Sequence, residues 1–301
     1  MPLQEPIRIP APIPTLHNRR RGLVWGFLRV ARFSLTLPAT RVAVAELDPV
    51  FVGLGRAIVA AALAAIVLAA TRTPWPGWRL LPRLALVAGG VIVGFPLFSA
   101  LAMRYVPASH GAVVIGLLPL ATALAAAWLA HERPSRAFWW SAAFGSAVVV
   151  AFAFWQGGGT PQPADGLLAL AAISAAIGYA EGGRLARTLG GWQVISWALV
   201  VAAPFVLVPT VLAADARLAT ASPAAWAGFA YVSVISMFLG FFAWYRGLAL
   251  GGIAAVGQVQ LLQPFLTIFA SALLLGEAID PATFVAAALV IASIALGRRA
   301  A

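Results

Sequence analysis

A few side chains able to do chemistry stand inside runs of sequence that are otherwise apolar. Glu181 is the one carboxylate well inside such a run. Arg29 and Arg32 lie in another. An ionised group at depth in a bilayer costs at least about 2.5 kcal/mol unless it is paired or hydrated, so these three invite an ion pair that opens and closes. Gln260 and Gln263 are spaced i, i+3 beside Pro264. A proline ring excludes the hydrogen bond to the carbonyl four residues earlier, which here is that of Gln260. Two amides and a free carbonyl within one turn suit a polar head group. His110, beside Ser109, is a group that can carry a proton near neutral pH. The aromatic residues Phe33, Phe95, Phe98, Tyr179 and Trp244 lie within the same kind of apolar run.

The elements that must hold these groups follow from composition. The 301 residues are 62% hydrophobic and 10% charged, with a mean hydropathy of +0.94; soluble chains carry about 25% charged residues. Lipid is the solvent that such a chain suits. A helix crosses a bilayer with about 20 apolar residues. Apolar runs and their breakers predict helices near 22–44, 49–71, 80–104, 108–130, 136–155, 165–186, 192–213, 223–246, 253–275 and 281–297. The expected fold is an all-α membrane protein of ten transmembrane helices. Residues 1–21, rich in proline, are expected to be a disordered cytoplasmic tail.

All 20 basic residues are arginine, and most flank apolar runs. With the amino terminus inside, Arg8, Arg19, Arg20, Arg21, Arg72, Arg79, Arg83, Arg133, Arg136, Arg184, Arg187, Arg246, Arg298 and Arg299 fall on the inner side, against Arg41, Arg104 and Arg217 outside. That bias matches the positive-inside rule and predicts cytoplasmic termini in a bacterial inner membrane. The net charge of +11 is therefore read as topology, not as a nucleic-acid surface. The chain has no cysteine, and its histidines, His17, His110 and His131, are scattered. No metal or other cofactor is expected.

The halves resemble each other. At an offset of 145, Pro119 falls on Pro264, Ala125 on Ala270 and Glu132 on Glu277. The expected units are 22–155 and 156–301, each of five helices. An odd number per unit makes the second enter the membrane from the opposite side. Inverted repeats are characteristic of secondary transporters, in which two similar units exchange conformations around a shared site.

Three features carry a family resemblance: the pair Trp25-Gly26; Asp48-Pro49 followed by Arg56; and the endings Pro119…Glu132 and Pro264…Leu275-Gly276-Glu277. In these the chain resembles the EamA branch of the drug/metabolite transporter superfamily over about residues 22–297. It departs from the pattern at Arg29 and Arg32, where apolar or small residues are expected, and at Ala130-His131, where a glycine usually precedes the glutamate. The resemblance implies a central cavity and export of metabolites, amino acids being the best-represented class, with the bacterial aromatic amino-acid exporters as the nearest group. It implies a small-molecule substrate, a lipid bilayer, no nucleic acid, and a monomer or homodimer.

On this frame Glu181 lies about 8 Å and Arg29 about 10 Å from the inner helix ends, at 1.5 Å per residue. Glu181 with Arg29 or Arg32 is then an inner gate, or alternatively a permanent structural pair or a snorkelling carboxylate. Gln260 and Gln263 receive a head group, or else bond between helices. Phe33, Phe95, Phe98, Tyr179 and Trp244 accept an apolar side chain, or simply pack. His110 binds substrate or proton, or is an interfacial polar residue. Gly90 and Gly94 mark a close helix crossing. No HExxH, nucleophile elbow or P-loop occurs, so no enzymatic activity and no ATP-driven step is expected. The rival readings are a nucleotide-sugar or sugar-phosphate transporter, for which Arg29, Arg32 and Arg56 are the available cations, and a membrane-embedded lipid enzyme, which needs convergent acids that the sequence lacks.

Overall fold

The computed structural model describes residues 16–155, 162–276 and 278–299. Among these every regular element is helical. In chain order the helices are α1 (Leu16–Phe33), α2 (Thr36–Glu46), α3 (Pro49–Ala70) and α4 (Trp78–Met103). They continue as α5 (Ala108–Ile115), α6 (Leu118–Leu129), α7 (Arg136–Trp155) and α8 (Pro163–Leu189). Then come α9 (Gly191–Leu212), α10 (Pro223–Gly251), α11 (Ile253–Leu274) and α12 (Ala282–Arg299). Six of these (α3, α4, α8, α9, α10 and α11) are long and apolar enough to cross a membrane. Large apolar side chains such as Phe205, Leu212, Trp140 and Leu273 point outward from the bundle, a surface suited to lipid.

Proline sets the interruptions. A proline in a helix denies a hydrogen bond to the carbonyl four residues earlier. Pro38 and Pro119 accordingly coincide with the breaks at Ser34-Leu35 and after Ile115, and Pro96 follows a π-helical stretch, Ala88–Gly94, inside α4. Pro264 follows a 3₁₀ stretch, Gln258–Leu262, inside α11. A second π-helical stretch, Tyr231–Leu239, lies inside α10 without a nearby proline. The sequence repeat therefore has local counterparts. The π stretches fall at matching positions, and Pro119 and Pro264 each open a straight helix after an irregular turn. His131 and Gly276, also 145 apart, both take left-handed backbone, with φ of +53° and +70°.

The first helix begins at Leu16, so residues 16–21 are helical and the boundary expected at 22 falls inside α1. The last tail proline is Pro14, and nothing after it opposes a helix. Residues 1–15, the glycine run 157–159, Glu277 and the carboxyl-terminal Ala301 lie outside the described residues.

Packing pairs α3 with α9, α1 with α10, α7 with α12, and α8 with both α4 and α6. Two of these crossings depend on missing side chains. A Cβ on Gly22 would lie 2.6 Å from the Gly251 backbone, so α1 and α10 touch backbone to backbone. A Cβ on Gly90 would lie 2.8 Å from the Gly178 amide nitrogen, and one on Gly94 would lie 2.6 Å from the Ser174 side chain, the close crossing expected from their spacing. We call the bundle end where α1 begins proximal and the other end distal.

Left-handed backbone costs a residue with a Cβ about 1–2 kcal/mol, which glycine does not incur. The His131 imidazole is exposed. His131→Gly should therefore stabilise the folded protein by about 0.5–1 kcal/mol after the entropy cost of glycine in the unfolded chain is subtracted. The thermal unfolding midpoint in detergent should rise; a fall would show that the imidazole makes a contact that matters.

Candidate functional site

Arg29 is completely buried, on α1 in the middle of the bundle. One guanidinium nitrogen, Nη1, donates to Oε1 of Gln260 at 3.0 Å and to Oε1 of Gln263 at 3.3 Å. The other, Nη2, donates to the Tyr179 hydroxyl. The guanidinium carbon lies 3.7 Å from the Phe33 ring centre, 4.3 Å from that of Trp244 and 4.9 Å from that of Tyr179. A cation over ring faces gains about 0.5–2 kcal/mol per contact, most where water is excluded. Six residues named from the sequence for the site or its gate thus meet at one point: Arg29, Phe33, Tyr179, Trp244, Gln260 and Gln263.

Four helices bring them together. On α1, Arg29 and Phe33 are four residues apart and share a face. The glycine contact with α10 draws that face against Trp244. The crossing of α4 on α8 at Gly178 fixes the height of Tyr179, the next residue. The 3₁₀ stretch of α11 turns Gln260 and Gln263 to the same side. Gln260 Nε2 donates to the Gly257 carbonyl at 3.1 Å, which fixes the orientation of its amide.

Sequence reasoning missed Phe241 and Tyr245. They lie on the Trp244 face of α10, and their rings extend the cluster: Phe241 is 5.4 Å from Phe33 and 5.4 Å from Tyr245 between centres. Tyr245 donates to the Gly178 carbonyl at 3.1 Å. The i, i+3, i+4 spacing of 241, 244 and 245 was the available signal. Arg56, on α3, is only 2% exposed and makes no ion pair among the described residues.

Other expected placements are corrected by the geometry. Glu181 is paired, but with Arg83 of α4 and, at 3.7 Å, with Arg184, not with Arg29 or Arg32. Depth along an axis fixes height and not direction. Glu181 is two residues from Tyr179, about 200° around α8, so when Tyr179 faces Arg29 the carboxylate faces away. Arg32 is exposed, and only its carbonyl is engaged, by the Tyr231 hydroxyl at 2.7 Å. The Gln260 carbonyl is not free, because it accepts from the Gln263 amide in the 3₁₀ turn. His110 sits at the distal end, 2.6 Å from Asp165 and away from the cluster. No ring contact among the described residues joins Phe95 or Phe98 to it. Gln258 turns to Ser141 of α7 at 3.1 Å.

Polar contacts close both bundle ends. At the proximal end Glu132 accepts from Arg187 and, at 2.9 Å each, from the backbone amides of Ile253 and Ala254, so it caps α11. Arg184 donates to the Leu129 carbonyl at 2.7 Å. At the distal end Ser222 donates its amide and its hydroxyl to Glu46, each at 2.6 Å.

Removing one member of a partly buried pair costs about 1–3 kcal/mol, and removing both costs less than the sum. Thermal unfolding of Arg83→Gln, Glu181→Gln and their double variant should show that coupling. The corresponding cycle of Glu181 with Arg29 should be additive. Coupling of Glu181 to Arg29 instead of Arg83 would contradict the arrangement.

Comparison with known proteins agrees with this architecture. The profile of the EamA-like transporter family matches the chain twice, over residues 20–155 and 162–297. The "Uncharacterized transporter YdeK" of Bacillus subtilis is 43% identical over 284 residues, covering 94% of this chain and 99% of that protein. The "Probable terminal-alkyne amino-acid exporter" of Streptantibioticus cattleyicolor is 27% identical over 282 residues, covering 92% and 93%. A solved crystal structure aligns with a TM-score of 0.72 at 20% identity over 93% of this chain and 99% of its own, a likeness of fold. Two matches of one profile, a 43% identical transporter and a buried polar centre between the matched halves lead to one conclusion: the chain is a membrane transporter belonging to the EamA-like transporter family.

Proposed function

We propose that the chain exports small metabolites, amino acids first among them, across the bacterial inner membrane by alternating access. The observation that carries this is the centre around Arg29. A fixed cation, two amides and three aromatic faces are gathered at the junction of α1 and α8, one from each matched half, with α10 and α11. Such a set can hold a polar head group on one side and an apolar side chain on the other. The amino-acid exporter among the relatives supports that substrate class.

Ten crossings follow when the shorter or interrupted helices α1–α2, α5–α6, α7 and α12 are added to the six long ones. Each profile match then holds five, and an odd count inverts the second unit. The matching π stretches, prolines and left-handed turns support the same internal symmetry. The arginine distribution puts the proximal end, and both termini, in the cytoplasm. Glu132–Arg187 and Glu181–Arg83 then form the inner closure, in place of an Arg29–Glu181 gate, with Glu46–Ser222 at the outer one.

A phosphatase fused after Ala301 should stay in the cytoplasm and be inactive, and a fluorescent reporter at the same place should be bright; active phosphatase would remove the even count. Purified protein in liposomes should accelerate uptake of labelled amino acids and not of nucleotide sugars. Gln260→Ala or Gln263→Ala should weaken that transport about three- to tenfold, the worth of one ordinary hydrogen bond, with the fold intact. Wild-type affinity in both variants would place the head group elsewhere.

A further inference from the structure

The polar imbalance at the centre has one sign. Arg29 keeps its charge at any physiological pH, and so does Arg56. Both are buried, and every ion pair among the described residues is made by other side chains. The buried acid, Glu181, is occupied by Arg83 and Arg184. The partners of Arg29 are neutral: two amide oxygens, one phenol and three rings. Its Nε has no acceptor, nor has the indole Nε1 of Trp244, whose ring Arg29 covers. Both are donors. Buried donors without acceptors, at a cation without an anion, describe a site that lacks an acceptor-rich, negatively charged occupant.

We propose that the solute enters with a carboxylate, received by Arg29 beside the Tyr179 hydroxyl, and that the oxygens of Gln260 and Gln263 hold its place on Arg29 when the site is empty. The inference rests on the transport reading and narrows it to carboxylate-bearing solutes, amino acids or simple organic acids. A planar carboxylate matches the forked donors of a guanidinium. As the carboxylate arrives, Arg29 exchanges its amide oxygens for charged ones, and the freed amides turn to the rest of the solute. The rings of Phe33 and Trp244 lie against the same guanidinium, where they meet an apolar substituent. A neutral solute gains none of this, because it leaves the charge of Arg29 uncompensated.

Thermal stabilisation of the detergent-purified full chain tests this without assuming which solute is carried. The probes are phenylalanine, phenylpropionate, phenylalaninamide, phenylpropionamide and phenyl phosphate. Both carboxylates should raise the unfolding midpoint of the wild type, and neither amide should do so at the same concentration. Arg29→Gln should weaken carboxylate binding about tenfold or more, the loss of a charge-assisted hydrogen bond, and Arg29→Lys should recover part of it. Should Arg29→Gln fail to fold, the comparison of acids with amides on the wild type still decides. Equal stabilisation by acid and amide, no stabilisation by any probe, or stabilisation by phenyl phosphate alone would overturn the proposal. Stabilisation by phenylpropionate but not phenylalanine would uphold it and defeat the amino-acid reading; liposomes that carry amino acids with no discrimination against the amide would do the reverse.

Discussion

A guanidinium group cannot shed its proton, and in the middle of an apolar bundle it must be compensated by whatever surrounds it. Arg29 imposes that demand here, and much of the local architecture answers it. Ring faces come from α1, α8 and α10, amide oxygens from α11, and a hydroxyl from α8. Each must approach within a few ångströms, which requires helices closer together than side chains ordinarily allow. The glycines at the α1–α10 and α4–α8 crossings supply that closeness. Loss of either crossing would separate a ring or the hydroxyl from the cation.

The irregular helices serve the same end. In a straight helix Gln260 and Gln263 are about 300° apart in azimuth, so one amide would lean off the axis that the other defines. The tighter 3₁₀ winding stacks residues three apart, and the two amides reach one nitrogen. The π stretch in α10 precedes Trp244, the one in α4 packs on α8 at Gly178, and the two occupy matching places in the two profile matches. Such bulges concentrate at functional sites, since they re-aim a face at a small cost in hydrogen bonding. These segments, together with the polar locks at each bundle end, are where motion would have to be accommodated as the site opens.

Helix positions were legible because apolar runs and proline punctuate this sequence heavily. The start of α1 was not, because the arginines before Gly22 read as an anchor at a helix end and not as part of the helix. Residue types at the centre were also legible: an arginine, two amides and aromatics stand out in an apolar chain. Their pairing was less so. Gln258 and Gln260, two residues apart, turn to different neighbours, Ser141 and Arg29. Glu181 and Arg29 could be matched in height, but which neighbour a side chain faces depends on the rotation of each helix, and rotation is fixed by contacts such as Gly178 on Gly90 that a single sequence does not display. His131 shows the converse. A departure from the family pattern proved to be conformationally conservative, keeping the left-handed turn that Gly276 provides at the matching place.

The central claim is that the space against Arg29 is a solute site reached alternately from the two sides of the membrane. A single cysteine in place of Phe33, which covers the guanidinium at 3.7 Å and is 2% exposed, tests this directly in a chain with no native cysteine. In oriented vesicles the Phe33→Cys thiol should react with a small impermeant thiosulfonate added from either side, and a saturating concentration of a carboxylate solute should slow both reactions. A thiol that reacts from neither side, or at a rate indifferent to solute, would mean that the Arg29 centre is a structural core and not a transport site.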